Sequence, residues 1–207
     1  MQLYDGRGSQ EVELPKMNLS PVYKLRSGPV ELHLLEKAPA SKRDVPADAP
    51  HVAVTEEMKD FILLVAQKSE KIDADVQANE SGNAQSDESA EAGDGGKILT
   101  LMLIEVDPRK FKPGGLLWVN LTENRIKGTL GDEEFTLDAG SQTVVSDPIK
   151  GGGSFPVKLS FSIPGDDQLR PLSETKWIHY PKGRIVQFVM EEQGSVVPRL
   201  LGVADNR

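Results

Sequence analysis

Short apolar runs of period two, separated by glycine and proline, recur along almost the whole chain and leave little room for helices. In 154–162, Phe155, Val157, Leu159 and Phe161 fall on one face, with Pro156, Lys158 and Ser160 on the other. A period of two is the signature of a half-buried strand. Val30, Leu32 and Leu34 alternate in the same way with Glu31 and His33. Pro156 cannot donate to a ladder, so its strand is expected to lie at a sheet edge or to start there. The runs 98–106 (ILTLMLIEV) and 115–121 (GLLWVNL) are denser, as in central strands covered on both faces. In 125–137, Gly131-Asp132 separates two alternating runs and predicts a hairpin with Ile126 and Leu130 facing the core against Phe135 and Leu137.

Fourteen prolines and nineteen glycines punctuate these runs, and neither βαβ alternation nor an internal repeat is evident. The expected class is all-β: an antiparallel β-sandwich, immunoglobulin-like or related, of roughly a dozen strands. Residues 8–204 would form a single domain. Two readings fit 55–67. Thr55 followed by Glu56 and Glu57 resembles a helix start, with Met58, Phe61, Ile62 and Val65 on one face. The run from Phe61 to Ala66 also suits a buried strand, which would pair antiparallel with 98–106.

Between those two runs lies an acidic stretch. From Asp73 to Lys97 it holds seven carboxylates against one lysine, and so carries −6 of the chain's net −8. With Val76 as its only large aliphatic residue it cannot offset its ordering entropy. It is expected to be a disordered insertion, 70–97, within the domain. The rest of the chain is nearly neutral and shows no basic stripe, so nucleic-acid binding is not expected.

The chain contains no cysteine, which excludes disulfides, thiolate catalysis, cysteine zinc sites and blue copper. Its longest apolar run falls far short of the roughly 20 residues that span a bilayer, so no transmembrane segment is expected. The first fifteen residues carry no apolar core of a secretory leader.

Chemical motifs are scarce. Gly151-Gly-Gly-Ser154 is neither a nucleophile elbow nor a P-loop, because the trailing glycine and the Gly-Lys-Ser/Thr order are missing. His33, His51 and His179 are widely separated, without H-x-H or H-E-x-x-H, so no metal and no cofactor is expected. Asp73-Ala-Asp75 and Asp166-Asp167 do not continue into a calcium loop. Glu105 and Glu174 are strand carboxylates that a glycosidase would need to converge. Asn18-Leu-Ser and Asn120-Leu-Thr match the glycosylation sequon, the second inside a predicted strand. Among the aromatics, Trp118 reads as core. Trp177 alternates with Thr175 and His179 on a more polar face. The candidate ligand-binding residues are therefore Trp177, His179 and Tyr180, with the carboxylate Glu174.

A pattern of Phe111, Gly114, Asn120-Leu121-Thr122, Leu130-Gly131, Ala139-Gly140, Trp177 and Arg184-Ile-Val-Gln-Phe188 resembles a family of uncharacterised bacterial β-rich proteins of planctomycete and verrucomicrobial type. The resemblance spans most of the chain outside the acidic stretch. It implies a β-sandwich fold and an exported or periplasmic location, and it brings no catalytic residue. Two functions are consistent with these readings. One is a non-enzymatic β-sandwich binding or structural module, such as part of a bacterial cell-envelope assembly, with a protein partner. The other is a carbohydrate-binding or carbohydrate-active protein that uses Trp177 and Tyr180 on a glycan.

Overall fold

Each alternating run becomes a strand where its apolar side chains find a second layer to cover them. The computed structural model describes residues 1–16, 18–67, 99–146 and 148–205. The acidic insertion expected at 70–97 lies outside these residues. Among the described residues there are fourteen strands, one 3-10 turn (Lys42–Asp44) and no α-helix. The protein is all-β, built of several largely antiparallel sheets, none of which closes into a barrel. The chain divides into two compact units: Met1–Val12 with Tyr23–Glu105, and Glu13–Val22 with Val106–Arg207.

The first unit contains β1 (Gln2–Tyr4), β2 (Ser9–Glu11), β3 (Val30–Leu35) and β4 (His51–Val54) in the order β2-β1-β3-β4. Leu3, Leu32, Leu34 and Val54 form a buried cluster from one face of that sheet. β5 (Phe61–Gln67) and β6 (Leu99–Glu105) form an antiparallel ribbon, Phe61 opposite Glu105 and Gln67 opposite Leu99. Of the two readings for 55–67, the strand holds. A turn closed by the Met58 amide on the Thr55 carbonyl precedes it, where a helix cap was the alternative. Phe61, Leu63, Leu101 and Leu103 pack on the cluster. β6 was expected to be central, but among the described residues it pairs with β5 alone, and Thr100 and Met102 are exposed.

The second unit has two four-stranded sheets. The first, β10-β7-β13-β14, holds β7 (Leu116–Asn120), β10 (Gln142–Val145), β13 (Arg184–Met190) and β14 (Arg199–Asp205). The second, β12-β11-β8-β9, holds β8 (Arg125–Leu130), β9 (Glu133–Leu137), β11 (Gly153–Ser162) and β12 (Arg170–His179). Both sheets feed one core. Leu116, Trp118, Val145 and Val189 come from the first, and Ile126, Leu130, Leu137, Phe155, Val157, Leu159 and Phe161 from the second. Each such side chain contributes roughly 1.5–3 kcal/mol by leaving water. β7 is buried along its whole length, as its unbroken apolar run predicted. The β8–β9 hairpin has the expected two-residue turn, with Gly131 at φ +62°, a conformation that a side chain disfavours.

Two expectations are corrected here. The sheets are not antiparallel throughout, because β13 runs parallel to β7. β11 is not an edge strand, since it pairs with β12 on one side and β8 on the other. Proline is tolerated because of where Pro156 sits. Its carbonyl accepts from the Gly131 amide at 2.9 Å, and in an antiparallel ladder a residue's N and C=O point to the same side. The missing N–H therefore faces the β8–β9 turn, beyond the first β8 pair at Val157–Leu130.

Candidate functional site

β12 positions the candidate residues. It pairs with β11 so that Trp177 lies opposite Phe155 and His179 opposite Gly153. Odd-numbered residues near its end thus turn toward the core, and even-numbered ones turn outward. Trp177 is half-buried against the core, its indole stacked on that of the fully buried Trp118 with centroids 5.7 Å apart. Phe135 lies against Trp118 at 4.9 Å. Ile178 and Tyr180 are 59% and 61% exposed.

His179, expected on the more polar face of its strand, is buried. Its Nδ1 stands 2.7 Å from the Gly151 carbonyl and its Nε2 3.0 Å from the Gly114 carbonyl. Carbonyl oxygens only accept, so both contacts are hydrogen bonds together only when the ring carries two N–H groups. The Gly114 amide in turn donates to the Gly183 carbonyl at 2.7 Å. One imidazole therefore ties the loop before β7 and the glycine loop before β11 to the end of β12. The run Gly151-Gly-Gly-Ser154, neither an elbow nor a P-loop, supplies one of these anchoring carbonyls.

Trp177, Ile178, His179 and Tyr180 border a recess closed by Gly114 and Gly183. It encloses about 20 Å³, space for about one water molecule, against the several hundred cubic ångströms of an ordinary ligand pocket. Glu174 does not join it. Its carboxylate lies on the outer face of the sheet, 2.9 Å from Lys158 Nζ on β11, with both side chains well exposed. The other strand carboxylate considered, Glu105, belongs to the first unit. Three of the four candidate residues are thus neighbours, around a shallow surface feature with no convergent carboxylate among them.

The free side of β12 is more extensive than the recess. Among the described residues this ten-residue strand pairs only with β11. Pro156 directs its backbone away from β12, so its partner Lys176 directs its own N–H and C=O away from β11. By alternation, Glu174 and Ile178 do the same.

Sequence reasoning missed three groupings. Asn120, inside its sequon, is fully buried: Nδ2 donates to the Asn124 carbonyl (2.6 Å) and the Asp138 carbonyl (3.0 Å), and Oδ1 accepts from the Thr122 hydroxyl (2.7 Å) and amide (3.1 Å). Arg184 pairs with the buried Asp205 at 2.7 Å and lies over the Phe111 ring at 5.1 Å. His33 and His51, eighteen residues apart in sequence, are cross-strand partners on β3 and β4. Only the Asn120 grouping had a local signal, the Asn-x-Thr spacing that lets hydroxyl and amide meet one side-chain oxygen. Among the described residues no helix is long and apolar enough to cross a membrane. Comparison with protein-family models and with curated proteins finds no match.

Proposed function

We propose that this chain is a non-enzymatic binding module of β-sandwich architecture that recognises a protein partner along the free edge of β12. The single observation that carries the reading is that edge: three residues, Glu174, Lys176 and Ile178, turn their backbone groups outward, and exposed Ile178 and Tyr180 flank its end. Such an edge accepts an extended segment by strand addition, with main-chain hydrogen bonds giving affinity and side-chain contacts giving selectivity. The charges of Glu174 and Lys176 restrain indiscriminate pairing. A role in a bacterial cell-envelope assembly is compatible with such a module.

Selection of displayed peptides on the intact chain tests the reading. Extended apolar-alternating peptides should be enriched and should perturb the amides of 174–178 in NMR spectra. Lys176→Pro, which removes an outward N–H, should abolish their binding while leaving the fold intact. Peptides that bind the Lys176→Pro chain equally well would refute the edge as the site.

A second reading, glycan binding, is favoured by one observation: Trp177 and Tyr180 border the same recess. One face of the Trp177 indole is already taken by Trp118, so a sugar would have to stack mainly on Tyr180. Saturable quenching of tryptophan fluorescence by an oligosaccharide, lost in Tyr180→Ala, would favour this reading over the first.

A further inference from the structure

The free edge of β12 carries its charges in an order that a second copy of the same strand would match. Ser173, Glu174, Thr175, Lys176 and Trp177 follow one another along it, and the three central residues are all exposed. Glu174 and Lys176 turn their backbone groups outward, and being two apart they share the outer face of the sheet. Their present partners differ. Glu174 gives one carboxylate oxygen, Oε1, to Lys158 at 2.9 Å. Lys176 forms no ion pair among the described residues.

We propose that β12 pairs antiparallel with β12 of a second copy of this chain, about a two-fold axis at Thr175. The proposal rests on the reading of the β12 edge as the binding site and names its occupant. Charge and backbone direction together select the register. Two residues exchange ladder bonds only when both turn their backbone groups toward each other. Centring the pair on Glu174 would set two carboxylates opposite each other, and centring it on Lys176 would do the same for two ammonium groups. Like charges directly opposite are destabilising. A centre at Trp177 would set Lys176 against Ile178 and leave both charges unmatched.

Centring on Thr175 places each Glu174 opposite the other copy's Lys176. Both residues turn outward, so each such pair exchanges both of its N–H···O bonds. The Glu174 carboxylate then lies between Lys158 of its own chain and Lys176 of the other. On the opposite face Thr175 meets its own copy, and the half-buried Trp177 faces the other copy's Ser173. The contact is isologous and closes on itself, and it continues the sheet β12-β11-β8-β9 into its copy. The two charges that discourage other strands are matched by this one. The ladder is short, because the β11–β12 register shifts just before Ser173. Such a contact belongs to the weak, transient class of interface, so the dimer should dissociate on dilution.

Sedimentation velocity on the full chain over a range of concentrations tests the pairing. A reversible monomer–dimer equilibrium is expected, with the amides of 174 and 176 shifting in NMR spectra as the dimer forms. Glu174→Lys and Lys176→Glu should each weaken self-association roughly tenfold or more, because each sets like charges opposite each other. An equimolar mixture of these two variants should restore the dimer as a mixed pair, since every carboxylate then meets an ammonium. Both positions are exposed, so the variants should fold, which circular dichroism checks. A chain that stays monomeric at the highest attainable concentration, or a dimer that both charge variants leave unchanged, would overturn the proposal. Peptides that bind a monomeric chain and perturb 174–178 would keep the edge as a site and refute only the second copy as its occupant. A monomer that takes no peptide at this edge would overturn both readings.

Discussion

The indole of Trp177 lies parallel to that of Trp118, with 5.7 Å between centroids and 6° between planes. Trp118 is completely buried and Trp177 only partly so. The pair thus carries the core of the second unit outward to its surface. This makes Trp177 a structural residue first. Trp177→Ala should destabilise the chain by about 2–4 kcal/mol, at or below the usual cost of truncating a buried aromatic, because part of the ring is in water. Urea unfolding followed by circular dichroism measures it. A near-zero effect would mean that the indole does not pack as described and is free for ligand.

The buried amide of Asn120 replaces backbone pairing where β7 ends. Four carbonyl, amide and hydroxyl groups lie within 3.1 Å of it, in the turns after β7 and β9. Asn120→Ala leaves several of these groups unpaired in a buried site, so the cost should be about 2–4 kcal/mol. Denaturant midpoints of the purified variant would report it. The same burial makes the Asn120 sequon inaccessible in the folded chain. Expression in a glycosylating host should add no glycan there by mass spectrometry.

Gly128 and Phe135 are cross-strand partners in the β8–β9 hairpin. A Cβ on Gly128 would collide with the Phe135 ring and come within 2.7 Å of Leu159. The ring lies across the glycine and fills the space that a side chain would take. Gly128→Ala should therefore destabilise by about 1–3 kcal/mol, the usual cost of overpacking. Phe135→Leu alone should also destabilise, but the double variant should recover part of the loss. A double-mutant cycle with no coupling would show that the two positions do not share this space.

The local pattern carried the strands and their faces. Period-two alternation is a property of neighbouring residues, so the faces of β3, β8 and β11 and the β5–β6 pairing could be read directly. The parallel pairing of β13 with β7 could not, because it joins segments some seventy residues apart and nothing in either strand encodes its partner. Pro156 misled for a related reason: its missing donor rules out one ladder bond, and only the register tells which side that bond would have been on. The described residues group into two compact units, a division that no composition change marks at 105–106. At the site, Trp177, His179 and Tyr180 are neighbours because they share a strand end. The burial of His179 depends on two glycine carbonyls 28 and 65 residues away. His33 and His51 meet only through the β3–β4 register.

Asp5 links stability to pH. Its side chain is largely buried in the β1–β2 turn, and burial alone would push its carboxyl up. The amides of Arg7 and Gly8, at 3.0 and 2.7 Å from Oδ1, and the Arg26 guanidinium, 4.0 Å from Oδ2, outweigh that effect and hold it below the usual carboxylate range. A carboxyl lowered on folding contributes stability that is fully present above its unfolded value of about 3.9. That contribution falls away as the pH drops through the lower, folded value, where the native state takes up its proton. Asp5→Asn should be less stable than the parent near neutrality. It should also lose less stability between pH 5 and pH 3, so the two urea-midpoint curves should converge toward acid. Parallel curves over that range would show that the Asp5 carboxylate gains nothing from its amide and guanidinium partners.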